Sequence, residues 1–273
     1  LVPDEQQGTL YKWVAILTGS KNTLKGVGFF LGGVLLMAAG FKGAVIIMAV
    51  ALGLVWLASL FLLGQDLGKS KAKPKFSEIL SKSRAINVLS AARMFLFGAR
   101  DVWFVVALPV YLHTVFGWDF WKVGGFMASW IIGYGFIQTI APRITGNMEG
   151  KQPAVLWAAA LALIPAAIAI GLAAGWSPQF VIVGGLLLFG VLFAVNSSLH
   201  SYLIVSYARG DGVSLDVGFY YMSNAAGRLL GTILSGWVYQ AWGLEACLWI
   251  SSGLVAMAAL LSVLLPQRRP VTA

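Results

Sequence analysis

The chain has one cysteine, two histidines and only ten acidic residues among 273. Each scarcity removes a class of function. The lone thiol, Cys247, can build neither a disulfide framework nor a thiolate cage, and His113 and His200 are too few for a zinc site. No metal and no cofactor is expected. Charged residues amount to 11% against 59% hydrophobic, with a mean hydropathy of +0.83, a balance that soluble domains do not approach. No paired carboxylates, Cys/His nucleophile set or metal-ligand spacing occurs among the apolar stretches, so an enzyme is not expected. The short alternating segments of an outer-membrane barrel are missing too.

What is present is a series of long apolar runs, several beyond the ~18 residues that mark a spanning helix. The expected fold is all-α, a polytopic helical membrane protein. The spans fall at 11–40, 44–63, 88–113, 122–141, 153–174, 180–207, 216–242 and 245–265. Two spans, a polar linker over 65–87, then six spans make eight in all. Pro109 and Pro165 are expected to kink their helices. Gly28, Gly32 and Gly33 form a small-residue face, and Ser223, Gly227, Gly231 and Ser235 form a small-xxx-small ladder, both suited to close helix packing.

The net charge of +9 is not read as a nucleic-acid signal. Lys69, Lys71, Lys73, Lys75, Lys82 and Arg84 crowd the linker, where Phe76, Ile79 and Leu80 suit a short amphipathic surface helix. Together with Lys12, Arg143, Lys151, Arg209, Arg268 and Arg269 they lie on one side of the alternating spans, against Lys42 and Lys122 on the other. The positive-inside rule then places the linker and the C-terminus in the cytoplasm. The chain opens at Leu1 with neither a methionine nor a signal-peptide pattern, and it reads as a fragment lacking an N-terminal part.

The charges inside the spans are the candidate site. Arg93 and Arg100 are seven residues apart and share a face with Phe97 and Phe104; Asp101 sits about 100° round the helix. A charge at bilayer depth is costly and usually faces a bundle interior or a watery cavity. Lys21 and Lys25 lie one turn apart in the first span, and Asn224 and Arg228 share a face in the seventh. Two readings of these residues stay open. They line a cationic site for an anionic solute, or Arg93 snorkels, Arg100–Asp101 is a structural pair, and Asn224 and Arg228 join spans. His200, Asn196 and Ser197 offer neutral donors, or pack spans together. Asp101, Asp216 or His200 are candidates for a coupling proton or a charge pair, although the cation beside Asp101 argues against it as a proton carrier.

A basic linker followed by six spans resembles the second half of a major facilitator superfamily transporter. The resemblance implies that 1–64 holds the last two spans of an N-terminal half, 65–87 the cytoplasmic linker, and 88–273 the six-helix C-terminal half. It also places the spans bearing Arg93 and His200 on the central cavity. A narrower likeness lies in KPKFSEILSKSRAINVLSAARMFLFGARDVWFVVALPVYL, LVPDEQQGTLYKWVAILTGSKNTLKGVGFFLGG and NAAGRLLGTILSGWVYQAWG. These segments resemble the ArsJ family of bacterial organoarsenical efflux transporters. That likeness implies a multi-pass protein of the bacterial inner membrane that exports 1-arseno-3-phosphoglycerate. It also implies a functional link to glyceraldehyde-3-phosphate dehydrogenase, which makes the adduct from arsenate. An anionic solute fits the candidate binding residues read independently from the spans: Arg93, Arg100, Lys21, Lys25 and Arg228, with His200 and Asn224. Export of another solute, such as a sugar phosphate or a drug, and a non-transport membrane role remain the alternatives.

Overall fold

Every element of the described structure is an α-helix, as lipid demands of a spanning chain: the backbone must satisfy its own N–H and C=O groups. The structure, a computed structural model, describes residues 7–62, 83–146, 151–208 and 213–266. The linker lysines, the amphipathic segment with Phe76, Ile79 and Leu80, and Arg209, Arg268 and Arg269 lie outside these residues. In chain order the helices are α1 (Gln7–Leu62), α2 (Arg84–Phe104), α3 (Ala107–Thr114), α4 (Phe120–Thr145), α5 (Lys151–Ala173), α6 (Pro178–Tyr207) and α7 (Val213–Val263).

Among the described residues six stretches are long and apolar enough to cross a membrane: Met37–Leu62, Arg84–Thr114, Trp121–Thr145, Lys151–Ala173, Pro178–Tyr207 and Leu215–Val263. The last is too long for one pass, since 49 residues of straight helix would run roughly 70 Å against a ~30 Å hydrocarbon core. Gly243, at φ 79°, breaks it into two limbs. The second limb doubles back. A Cβ on Gly231 would stand 2.6 Å from the Gly98 carbonyl, and the Ser251 hydroxyl donates to the neighbouring Ala99 carbonyl at 2.6 Å. Twenty residues of straight helix would separate those two contacts by about 30 Å. Gly40, at φ 64°, breaks α1 in the same way. With both limbs of α7 and the lysine-bearing first limb of α1, the helical limbs number eight.

The packing that holds the bundle follows small residues. Gly227 and Gly231 let the first limb of α7 lie against the backbone of α2 at Met94 and Gly98. Ser235 extends the ladder by accepting the Ala107 N–H at 3.1 Å. Between α1 and α4 the closest backbone approach is at Gly19, Gly26 and Gly135; of the expected face only Gly33 meets α4, where a Cβ would stand 3.2 Å from the Trp121 ring. A Cβ on Gly28 or Gly32 would meet nothing within 4 Å. Those two face a cavity instead.

The kink attributed to Pro109 also sits elsewhere. The helix breaks at Val105–Val106, between α2 and α3. The cause is still the proline, which has no N–H for the carbonyl four residues back and crowds it sterically. Pro165, by contrast, is contained within α5 without ending it.

Two buried clusters bind the helices. One centres on Trp103, Phe104, Phe189 and Phe193; the other gathers Tyr11, Ile86, Leu89, Leu199, Tyr202 and Leu265. The second marks one end of the bundle. There Tyr11 packs on Tyr202 at 4.9 Å, the Tyr207 hydroxyl donates to the Pro266 carbonyl, and Lys151 Nζ donates to the Val263 carbonyl. Chain segments read as lying on one side of the alternating spans therefore meet at one end.

Candidate functional site

A cavity of about 1370 Å³ lies between α1 on one side and α2 and α7 on the other. Five helices besides α1 line it: α2, α3 through Pro109, α4, α6 and the first limb of α7. All five basic residues singled out within the spans reach this one space. Lys21 and Lys25 enter from α1, Arg93 and Arg100 from α2, and Arg228 from α7, with Asn224 one turn before it. Beyond the lysines, Gly28 and Gly32 add no side chain to the α1 wall.

The arginines are held in different ways. Asp101 is fully buried, and both of its oxygens are engaged. Arg100 Nε donates to Oδ1 at 2.6 Å, and Arg228 Nε donates to Oδ2 at 3.0 Å. The carboxylate thus ties α2 to α7, and the three groups together keep one positive charge. Arg93 is only 4% exposed, yet among the described residues its contacts are with neutral groups. One Nη donates to the Ser197 carbonyl at 3.1 Å and Nε to Asn224 Oδ1 at 3.3 Å. The guanidinium also lies over the Phe97 ring at 3.9 Å and the Tyr220 ring at 5.1 Å. Such a group needs hydrogen-bond acceptors and polarisable faces to offset its lost hydration. Lys21 and Lys25 are exposed to the cavity, Lys21 with its ammonium 5.7 Å from the Tyr221 ring.

Other residues named from the sequence fall outside the cavity wall. His200 is fully buried in α6, with neither ring nitrogen hydrogen-bonded. Asn196 donates to the Trp157 and Leu192 carbonyls at 2.8 and 2.9 Å, so it joins α6 to α5. Asp216 is buried in the first turn of α7. Ser197, by contrast, does line the cavity. Among the described residues no three His, Cys, Asp or Glu side chains converge as a metal cage would need.

Sequence reasoning missed the aromatic wall. Trp130 and Tyr134 of α4 stack at 5.7 Å and 8°, and both line the cavity. Phe104 packs on Trp130 at 4.4 Å, and Tyr134 on Phe193 at 5.7 Å. The i, i+4 spacing of Trp130 and Tyr134 is visible in the sequence, but apolar stripes of this kind occur on every span. Asn22 of α1 and Gln138 of α4 were missed as well; the Asn22 amide donates to the Gln138 side-chain carbonyl across the two helices.

Taken together, the cavity sets five cations against one buried carboxylate among the described residues. No curated protein matches the sequence. The sequence profile of the Major Facilitator Superfamily matches residues 1–215, most of the chain. The protein thus belongs to the major facilitator superfamily of membrane transporters.

Proposed function

We propose that this transporter exports an organic oxyanion by alternating access, with 1-arseno-3-phosphoglycerate as its solute. The observation that carries the reading is the convergence of Lys21, Lys25, Arg93, Arg100 and Arg228 on one cavity where, among the described residues, Asp101 alone is ion-paired with them. Guanidinium groups bind phosphate-like and arsenate-like oxygens through paired N–H donors, and lysines bind them as point charges. A cavity selecting cationic drugs would carry the opposite sign. The space suffices for a three-carbon solute bearing two oxyanion groups and some water.

The arsenical identity rests on the ArsJ-like segments, above all RAIN, SAAR and FLFGARDVWFVV. It brings with it glyceraldehyde-3-phosphate dehydrogenase as the source of the adduct, and the bacterial inner membrane as the location. The end of the bundle bearing Tyr207 and Pro266 would then be cytoplasmic. Domain limits at 64 and 87 belong to the same reading.

The test is arsenate tolerance and cell arsenic in arsenate-sensitive cells that express the complete gene product with that dehydrogenase. Tolerance that requires the dehydrogenase and falls with Arg93→Ala supports solute and site together. No gain in tolerance from well-inserted protein overturns the arsenical reading. Export of a sugar phosphate is the second reading, favoured by the same cations, and competition by sugar phosphates in vesicle transport would reveal it.

A further inference from the structure

Arg93 carries its charge almost wholly buried and without a carboxylate, so something neutral must hold it in place. Besides the Ser197 carbonyl and the Asn224 side-chain oxygen, the Phe97 ring is such a group, 3.9 Å from its guanidinium. The same ring lies 5.0 Å from the Arg100 guanidinium. One aromatic side chain, a turn beyond Arg93 and a turn before Arg100, therefore contacts both cations of the α2 stripe. We propose that Phe97 is a positioning residue that fixes Arg93 and Arg100 for an oxyanion; this rests on the oxyanion reading of the cavity.

The chemistry explains why a ring serves here better than an acid. A carboxylate would hold a guanidinium firmly but cancel its charge, as Asp101 partly does for Arg100 and Arg228. An aromatic face attracts the cation through its quadrupole and contributes no net charge. The cation stays available to an incoming anion. The ring is itself fixed: Phe97 is 6% exposed and packs edge-on against Phe193 at 5.1 Å and 61°. Phe193 stacks on Phe189 at 5.5 Å, so the support continues into the main core. An arginine side chain loses much rotational freedom when it binds, and a ring that restrains it beforehand lowers that cost. Phe97 also lines the cavity, where the solute would meet it.

The experiment uses the complete gene product purified in detergent, with binding of radiolabelled 3-phosphoglycerate as the readout and thermal unfolding as a check on folding. Phe97→Leu should weaken binding about tenfold, and Phe97→Tyr, which keeps the ring, should stay within about twofold. Mono-, di- and trifluorination of the Phe97 ring preserves its shape while draining its quadrupole. Affinity should fall stepwise along that series, a trend that a merely space-filling residue would not produce. Affinity flat across the fluorinated series, with Arg93→Ala still weakening binding, overturns the role of Phe97 and leaves the oxyanion site standing. Undiminished binding in Arg93→Ala, or no binding by the unaltered protein, overturns the oxyanion site and the Phe97 inference with it.

Discussion

Arg93 and Arg100 occupy the same stripe of the same helix and meet burial in opposite ways. Around Arg93 the partners are carbonyl oxygens and ring faces, and the guanidinium keeps its whole charge. Around Arg100 the partner is Asp101, shared with Arg228, and one positive charge is spread over three groups. The first arrangement leaves a cation facing the cavity. The second binds α2 to α7. A basic residue in a span is therefore not one kind of feature, and what it does depends on whether its partner carries charge.

The largest expected effect comes from breaking the tie. Asp101→Ala removes the only carboxylate under Arg100 and Arg228 among the described residues and should destabilise the protein by about 3 kcal/mol, the lower end for a buried pair because Arg228 is half exposed. Thermal unfolding in detergent measures it; an unchanged Tm would mean that the tie contributes nothing. Next is the contrast at the cavity. Arg93→Ala should weaken oxyanion binding by about 1.5–3 kcal/mol, roughly ten- to a hundredfold, and Arg228→Ala by less because its charge is already shared. Equal losses would erase the difference drawn between the two arginines. The smallest effect contrasts glycines. Gly227→Ala drives a methyl into the Met94 backbone and should cost about 1–3 kcal/mol, whereas Gly28→Ala enters open space and should stay within about 0.5 kcal/mol.

Several of these features were legible in the sequence. The 93–97–100–104 stripe follows from helical periodicity alone, and the structure sets Phe97 against both arginines as that spacing implies. The Gly227–Gly231–Ser235 ladder was equally readable, since three small side chains four residues apart can only make a groove. Other assignments failed for identifiable reasons. Gly28 and Gly32 have the same spacing logic as the α7 ladder, but no neighbouring helix approaches them. His200 lies on a helix that does reach the cavity, yet its own side chain is turned into the protein, off the cavity wall. Pro109 marked a break correctly, but the break falls at the carbonyl it deprives rather than at the proline itself.

By itself the sequence determined that this chain is a membrane-spanning helical protein and that a few charges must be buried within it. Hydrophobic run length and the cost of burying charge decide both, and neither depends on which helix lies beside which. The tertiary structure decided which of those charges meet. Lys21, Arg93 and Arg228 are separated by long stretches of chain and share a cavity only because the bundle sets α1 across one space from α2 and α7. It decided, too, that Asp101 bonds two arginines while Arg93 rests on a phenyl ring. Periodicity specifies a face of a helix, whereas the partner of that face is set by how neighbouring helices pack, and so is the charge left for a solute.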